Sequence, residues 1–291
     1  MKIRLIILSL AMCAAVACGN ADKAYVRKAV KLMDKQGLFA EGPEWKAARA
    51  EALSASPQTQ DEAKDIVRTA LKVAGGKHSF IKTSESVVED ATSEWTMPTV
   101  SFEEDGIVVI KLPRFSGNKD EGIKYALTVL ENLSDTLPGA VIDLRDNTGG
   151  DMYPMISAIH RFLPDDDILR FRSRKRTAWI QLPFVLQGTG ISRAATIDCP
   201  VAILTNDMTA SSGEATLLTF RGLGSVRTFG APTAGYASAN TPFNMPDGSQ
   251  LVLTTGCDVA RTGEVFCDDP IAPDVLTDSP MEDALAWLRA I

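Results

Sequence analysis

The sequence predicts an α/β fold with a large core and a small helical subdomain on its N-terminal side. Three observations support this prediction. Short apolar runs that are typical of buried strands alternate with amphipathic helices over the later part of the chain. The part of the chain before these runs has helical periodicity and no predicted strand. The length of 291 residues is enough for one large domain with a smaller partner.

The first residues have the three-part layout of a secretory signal. Two basic residues precede an apolar run that extends to Ala17, and polar residues follow. The run is short for a membrane span, which needs about 20 apolar residues. Small residues precede Cys18, as in a bacterial lipobox, whose cysteine is lipidated. We expect residues 1–17 to be a lipoprotein signal peptide, with simple secretion after Ala17 or Ala21 as the alternative.

The mature protein is therefore expected to be exported, either to the periplasm or lipid-anchored to a bacterial envelope membrane. Residues 18–83 are predicted to form the helical subdomain. Apolar residues recur at helical spacing from Val26 to Met33, and a second stripe extends from Ala63 to Leu71.

Residues 84–291 are predicted to form the α/β core. Residues 84–98 are predicted to form a loop, with short strands as an alternative. Residues 168–198 are predicted to form a less regular, strand-rich insert. The other predicted segments, in chain order, are the strand GIVVIKLPRF, the helix DEGIKYALTVLENL, the strand GAVIDLRDN, the helix YPMISAIHRFL, the strands PVAILTN, SVRTFG, QLVLTTGCDVA and EVFC, and the helix SPMEDALAWLRAI.

Charge and cysteine usage narrow the classes of function. The net charge is -7, with 30 basic and 37 acidic residues, which argues against nucleic acid as a main partner. No Cys/His cluster has the spacing of a metal site. Cys257 and Cys267 flank a predicted hairpin, so an exported protein could join them in a disulfide. A pair of half-buried thiols is the alternative, and Cys199 is expected in the core.

The chain has two histidines, which limits the choice of a general base. His160 lies inside a predicted amphipathic helix and is expected to be structural. His78 lies on a loop just beyond a helix end, where functional residues concentrate.

The segment NDMTASSGEATLLTF, residues 206–220, supplies a candidate nucleophile. Ser211 and Glu214 have the S-x-x-E spacing of a capping box, so a purely structural interpretation is available. Ser211 also lies between a predicted buried strand and a predicted helix. The loop that contains Gly149 and Gly150 likewise follows a buried strand and precedes a helix. In α/β proteins ligands bind at such strand ends. A serine, a histidine and a glycine-rich N–H donor loop together indicate acyl transfer or its hydrolysis.

At these residues the sequence resembles the tail-specific, or C-terminal processing, serine peptidases, including their tricorn-like branch. The similarity extends from about residue 24 to residue 276. It is carried by the order of the segments ALKVAGGKHSF, GAVIDLRDNTGG, TASSGEA, FGAPTAGYASANTPFNMPDGSQLVLTT and FCDDPIAPDV. The resemblance implies a crotonase/ClpP-like spiral core of β-β-α units and hydrolysis of peptide bonds without a metal or organic cofactor.

The resemblance also implies roles for single residues. Ser211 stands at the position of the attacking serine. One branch uses a lysine as base, but Tyr236 occupies that position here, so His78 is the implied base. The N–H groups of Gly150 and Ser212 are the implied oxyanion hole, with Gly149 as a further candidate.

Two departures from the tricorn-like pattern concern the histidine. Lys77 stands where the extra serine of that branch precedes its histidine, and Cys267 stands where its glutamate is expected. Asp268 or Asp269 would then orient the histidine, or a Ser–His dyad would act with backbone or water support. Between His78 and the predicted catalytic core, no segment is long enough for the PDZ domain that is usual in the family.

The sequence thus predicts an exported serine endopeptidase that acts on a peptide or protein and touches a membrane only through a lipid anchor. A non-catalytic member that binds peptides or apolar ligands in the same cleft is the alternative. Acyl-CoA chemistry is disfavoured because an exported protein does not meet cytosolic CoA esters. The sequence does not indicate the oligomeric state.

Overall fold

A computed structural model describes residues 21–87, 95–164 and 166–291. The signal peptide predicted over residues 1–17 and the lipidation predicted at Cys18 lie outside these residues. No helix in the described part of the chain combines the length and the apolar character that crossing a membrane requires.

Helices and strands alternate over the central part of the chain. The helices are α1 (21–36), α2 (Gly42–Ser54), α3 (Gln60–Gly75), α4 (84–87), α5 (Lys119–Leu130), α6 (Met152–Ile159), α7 (Leu182–Leu186), α8 (Ser212–Leu218) and α9 (Pro280–Arg289). The strands are β1 (Phe80–Lys82), β2 (Thr99–Phe102), β3 (Val108–Lys111), β4 (Ala140–Asp143), β5 (Asp167–Arg172), β6 (Thr177–Gln181), β7 (Val201–Thr205), β8 (Val226–Gly230), β9 (Ser238–Asn244), β10 (Gln250–Val259), β11 (Val265–Phe266) and β12 (Val275–Leu276).

The described residues fall into two compact units. The first contains residues 21–87 and Asn240–Thr255, and the second contains the remainder of the described chain up to Ile291. Both boundaries of the 240–255 segment lie inside strands, β9 and β10.

In the first unit, apolar stripes of the helices form a core with the 240–255 segment. Val67 and Leu71 of α3 are buried, and so are Leu251 and Leu253 of β10. Strand β1 pairs antiparallel with this part of β10. Helix α3 begins after Thr59, whose hydroxyl accepts the third N–H of the helix at 3.2 Å, as an N-cap does.

The second unit is built on a six-stranded sheet in the order β12-β8-β7-β4-β3-β2. Its strands are parallel except β2, which is antiparallel to β3. Every residue of β4 and β7 is buried, because helices cover both faces of the sheet. This explains why the two strands are continuous apolar runs rather than alternating patterns.

Successive residues of the strands point to opposite faces of the sheet and belong to two different apolar clusters. Ile142 of β4 belongs to the main core with α5, α6 and α8. Its neighbour Val141 belongs to a second cluster, to which α9 contributes Leu285 and Leu288. The predicted α/β class is therefore confirmed, with helices on both faces of a mostly parallel sheet.

The 168–198 segment contains a hairpin and a short helix. Strands β5 and β6 pair antiparallel, and β5 continues the sheet to residues 257–259 of β10. Strand β11 returns along the same part of β10, and a disulfide joins Cys257 to Cys267. Cys199 is buried as a free thiol, and burial raises its pKa to about 11.

Two local predictions were wrong. Residues 84–87, predicted as loop, are helical, whereas residues 88–94 lie outside the described residues. His160 does not lie inside the α-helix, because α6 ends at Ile159 and His160 begins a 3-10 turn.

Candidate active site

Ser211 occupies a strained turn between a strand and a helix. It follows β7 and immediately precedes α8, with φ of 53° and ψ of -116°. Among the described residues, Asp146 is the one other position where a side chain combines with positive φ. Such conformations cost on the order of 1–3 kcal/mol and persist only where surrounding contacts hold them. A sharp strand-to-helix turn of this kind exposes a nucleophile at the edge of a sheet.

Glu214 supplies the contacts that hold this turn. Its carboxylate is fully buried and accepts the N–H of Ser211 at 2.8 Å. The same carboxylate accepts the N–H groups of Gly235 at 2.8 Å and Tyr236 at 2.7 Å, and the Thr233 hydroxyl. The S-x-x-E spacing therefore does correspond to a hydrogen bond from the Ser211 N–H to the glutamate. The same carboxylate also connects the turn at Ser211, which we call the serine turn, to the 233–236 loop.

The environment of Glu214 contains a second buried carboxyl. Burial raises the pKa of Glu214, while its four hydrogen bonds act in the opposite direction. Asp258 of β10 is buried, and its Oδ1 has no hydrogen-bond partner among the described residues. Burial, followed by the charge of Glu214, raises the pKa of Asp258 well above its ordinary value. The four donors favour the ionised form of the Glu214 carboxyl, whereas the Oδ1 of Asp258 has no such donor among the described residues.

The glycine-rich loop after β4 is fixed by Asn147. The Asn147 side chain is fully buried, donates to the Leu112 carbonyl at 2.9 Å and accepts the N–H of Gly149 at 2.9 Å. Its backbone carbonyl accepts the N–H of Ala210 at 2.9 Å, one residue before the serine. The Gly149 N–H is thus already engaged, which argues against Gly149 as an oxyanion donor.

The glycine loop and the serine turn are in direct contact. A Cβ placed on Gly149 would lie 2.9 Å from the Cβ of Ser211, which excludes a side chain there. The Ser212 hydroxyl donates to the Gly150 carbonyl at 2.6 Å. Gly150 itself, with φ of 111°, packs so tightly that an added Cβ would lie 1.9 Å from the Phe115 carbonyl oxygen.

Two N–H groups beside Ser211 remain available to a ligand. Neither the N–H of Gly150 nor that of Ser212 has an acceptor among the described residues. Ser212 is also the first residue of α8, where the helix dipole favours a negative charge. Backbone N–H groups in such a position stabilise the oxyanion of an acyl-transfer intermediate.

His78 belongs to the first unit, just beyond the C-terminal end of α3. It is half-buried, and its carbonyl accepts the Asn240 side chain at 2.9 Å. Burial, with a smaller contribution from the charge of Lys77, lowers the pKa of the imidazole from 6.5 to about 4. The ring is therefore neutral at neutral pH and can accept a proton.

His160 has the surroundings of a structural residue. It is 1% exposed, and its Nδ1 lies 2.7 Å from the Ser157 carbonyl. Burial lowers its pKa. Its position inside the core matches the structural role expected from the sequence.

The two aspartates predicted to orient His78 come directly after the disulfide cysteine Cys267 in the sequence. Asp268 comes directly after Cys267 and is half-buried, whereas Asp269 is exposed. Among the described residues, no group of three or more His, Cys, Asp or Glu side chains is arranged to hold a metal ion.

The wider role of Glu214, the role of Asn147 and the burial of Asp258 were not predicted from the sequence. The S-x-x-E spacing pointed to the first contact of Glu214, but its other three donors lie 19 to 22 positions further along the chain. The signal for Asn147 was its place in the turn after a buried strand.

Both loops of the site lie within residues 106–277, which match a family of peptidases. The family is peptidase family S41, and the chain belongs to it. The predicted relation to the C-terminal processing peptidases is thereby confirmed. The nisin-resistance protein of Lactococcus lactis subsp. lactis is 32% identical over 276 residues, which are 91% of this chain and 86% of that protein.

Solved structures show the same fold. A lipoprotein from Streptococcus agalactiae superposes with a TM-score of 0.84 and 32% identity, over 93% of this chain and 96% of that one. The photosystem II D1 C-terminal processing protease has a TM-score of 0.61 and 14% identity, over 89% of this chain and 93% of that one. The second similarity concerns the fold alone.

Proposed function

We propose that this protein is an exported serine endopeptidase that hydrolyses peptide bonds through an acyl-enzyme on Ser211. The observation that carries the proposal is the strained Ser211 turn, held by Glu214 and flanked by the available N–H groups of Gly150 and Ser212. Membership of a peptidase family makes the substrate a peptide or a protein.

In the proposed reaction His78 is the general base. Its imidazole takes the proton of the Ser211 hydroxyl as the oxygen attacks the scissile carbonyl. The oxyanion that forms accepts hydrogen bonds from Gly150 and Ser212. His78 then gives the proton to the leaving amine, and a water molecule, activated in the same way, hydrolyses the acyl-enzyme.

The neutral state of His78 supports this role, because a protonated imidazole cannot accept a proton. We propose Asp268 or Asp269 as the group that orients the ring. The proposal does not require a metal or an organic cofactor, since these side chains and N–H groups supply each proton transfer and the oxyanion contacts.

The proposed location is the cell envelope. The signal layout of residues 1–17 and the cysteine at position 18 motivate it, and a structural neighbour is described as a lipoprotein. The name of the relative from Lactococcus lactis makes nisin a defined substrate to test first.

Hydrolysis by matched alanine variants tests the proposal. Wild-type protein should cleave nisin or members of a peptide library, and Ser211→Ala should abolish cleavage. His78→Ala should lower kcat/KM by roughly 10²-fold or more, which is typical of a lost general base. Ser225→Ala, which removes an exposed hydroxyl in the same unit, should be unchanged. Full activity in Ser211→Ala would refute the mechanism, and binding of peptide without turnover would favour the non-catalytic alternative.

A further inference from the structure

The second unit contains a cavity of about 390 Å³ that the proposed mechanism does not use. Three helices, α5, α6 and α7, and the loop after α7 line it, and we call it the α5–α6–α7 cavity. Its apolar lining residues are Ile123, Tyr153, Pro154, Phe184, Val185 and Ile191. Its volume lies within the range of about 300–1,000 Å³ that is usual for ligand pockets.

An exposed aromatic residue marks the rim of the cavity. Phe184 is 55% exposed although it lines an apolar hollow. Its ring meets that of Tyr153 edge-on, with 6.0 Å between the ring centroids. A single exposed apolar side chain needs no explanation, but an exposed aromatic beside a concave apolar surface is typical of a binding site.

The edge of the cavity is covalently continuous with the proposed oxyanion hole. Asp151 lines the cavity and directly follows Gly150, so their Cα atoms are about 3.8 Å apart. The Asp151 N–H donates to the Phe115 carbonyl at 2.8 Å, and its carboxylate caps α6 by accepting the N–H of Tyr153 at 2.9 Å. One lining residue of the cavity is thus the direct chain neighbour of the N–H that is proposed to bind the oxyanion.

A glycine inside α5 lets two walls of the cavity approach each other. Gly122 is buried in the interior of the helix, where glycine is unfavourable by about 1 kcal/mol relative to alanine. A Cβ at this position would lie 2.8 Å from Cγ of Pro154 in α6. The close packing of α5 on α6 at this edge of the cavity thus requires this glycine.

The charges in the cavity lining balance each other. Among the described residues that line it, Lys119 and Asp151 are the ionisable ones apart from Tyr153, and they carry opposite formal charges. The cavity therefore has no excess charge that would select an ionised side chain.

We propose that the α5–α6–α7 cavity is a specificity pocket that receives a bulky apolar side chain, of the size of Leu or Phe, from a residue flanking the scissile bond. The inference rests on the proposed peptidase function and adds the class of substrate residue that the site selects. Phe184 and Tyr153 are the residues that determine this preference.

The test compares quenched fluorogenic octapeptides that carry Gly, Ala, Leu or Phe in turn at each position flanking the cleaved bond. Wild-type protein should have a higher kcat/KM for the Leu and Phe peptides. Phe184→Ala should lower the ratio of Phe to Ala peptide turnover roughly tenfold, because the truncated wall packs less well against a large apolar side chain. Phe102→Ala is the matched control, since Phe102 of β2 is 50% exposed and does not line the cavity.

An unchanged ratio in Phe184→Ala, or an equal loss in Phe102→Ala, would overturn the pocket while leaving the peptidase intact. If wild-type protein cleaves none of these peptides, calorimetry on Ser211→Ala protein tests the pocket separately. The Phe peptide should bind that protein more tightly than the Ala peptide, and the added Phe184→Ala change should remove the difference. Equal affinities before that change would overturn the inference.

Discussion

At the scale of single residues, Glu214 joins the serine turn to a distant loop. Four donors converge on one buried carboxylate, and one of them is the N–H of Ser211. Buried polar groups that lose their partners are unfavourable by about 1–3 kcal/mol each. The strained turn and the glutamate are therefore expected to depend on each other.

Replacing Glu214 should reduce both stability and turnover. Glu214→Ala leaves the four donors without their acceptor, so we expect the free energy of unfolding to fall by at least about 2 kcal/mol. A displaced nucleophile should lower kcat by roughly 10²-fold with a smaller change in KM. Glu214→Gln keeps the shape of the side chain and one acceptor oxygen. Its free energy of unfolding and its kcat should therefore lie between those of the wild type and Glu214→Ala. Urea unfolding and steady-state kinetics measure these effects.

The matched control is Glu62→Ala, at the same third helical position in the exposed first turn of α3. It should change the free energy of unfolding by less than about 1 kcal/mol and leave kcat unaltered. Equal effects of the two alanine variants on kcat would contradict the role given to Glu214.

The pKa of His78 predicts the acid limb of the activity profile. Because burial lowers this pKa to about 4, the imidazole stays neutral until the pH approaches that value. We expect kcat/KM, which reports the free enzyme, to fall as the pH decreases through about 4 rather than through 6.5. Stability should also decrease between pH 6.5 and 4, because the unfolded chain then binds a proton that the folded protein does not.

Circular dichroism at each pH separates the two effects, since loss of rate in a folded sample reports the base. An acid limb with its midpoint between about 6 and 7 would indicate an ordinary histidine and would contradict the burial effect.

At the scale of elements, the site arises where two parallel strands end. Strands β4 and β7 are neighbours in the sheet, so the turns that follow them meet at the same edge. The glycine loop follows β4 and the serine turn follows β7. The serine turn leaves no room for a side chain on Gly149, and the Phe115 backbone leaves none on Gly150.

Gly150→Ala tests the close packing of the glycine loop against Phe115. The new methyl group would clash with the Phe115 carbonyl and would adopt a φ of 111° that a side chain disfavours. We expect a drop in kcat of roughly 10²-fold or more, as for the loss of an oxyanion donor, with a lower melting temperature. Thermal unfolding and kinetics of the purified variant provide the measurement.

Gly263→Ala is the control, because Gly263 has a φ of 90° and no described residue lies within 4 Å of an added Cβ. It should lose about 1 kcal/mol of stability from the backbone alone and retain activity. A Gly150→Ala variant that behaves like Gly263→Ala would show that the loop is not closely packed.

At the scale of the whole molecule, the disulfide between Cys257 and Cys267 restrains the unfolded chain. It closes a loop with a sequence separation of 10. A loop of this length contributes about 3 kcal/mol in the chain-entropy description. We therefore expect a reductant to lower the melting temperature of the wild type, and the double variant Cys257→Ala/Cys267→Ala to melt at the lower temperature regardless of reductant. Equal melting temperatures with and without reductant would contradict this contribution.

Much of the fold could be predicted because buried strands and amphipathic helices have different periods. The fully buried β4 and β7 stand out as apolar runs, and α3 and α9 as stripes. The place of residues 240–255 in the first unit follows from pairing with β1 and from burial against helices far away in the chain. Local patterns contain no information about such partners.

The position of the site in the sheet could be predicted from the sequence, but the contacts of its single side chains could not. Ser211 and Gly150 follow strands, so their encounter at one sheet edge could be inferred from the fold class. The engagement of the Gly149 N–H by Asn147 could not, because it depends on the orientation of one side chain within a turn. The three donors from the 233–236 loop likewise become visible only when that loop is placed against α8.

The most direct test of the account is covalent labelling of Ser211. A fluorophosphonate probe, followed by peptide mapping with tandem mass spectrometry, should place one adduct on Ser211 of the wild type. The adduct should be absent from Ser211→Ala and unchanged in Ser225→Ala. An adduct on another residue, or labelling that persists in Ser211→Ala, would contradict the claim that Ser211 is the nucleophile.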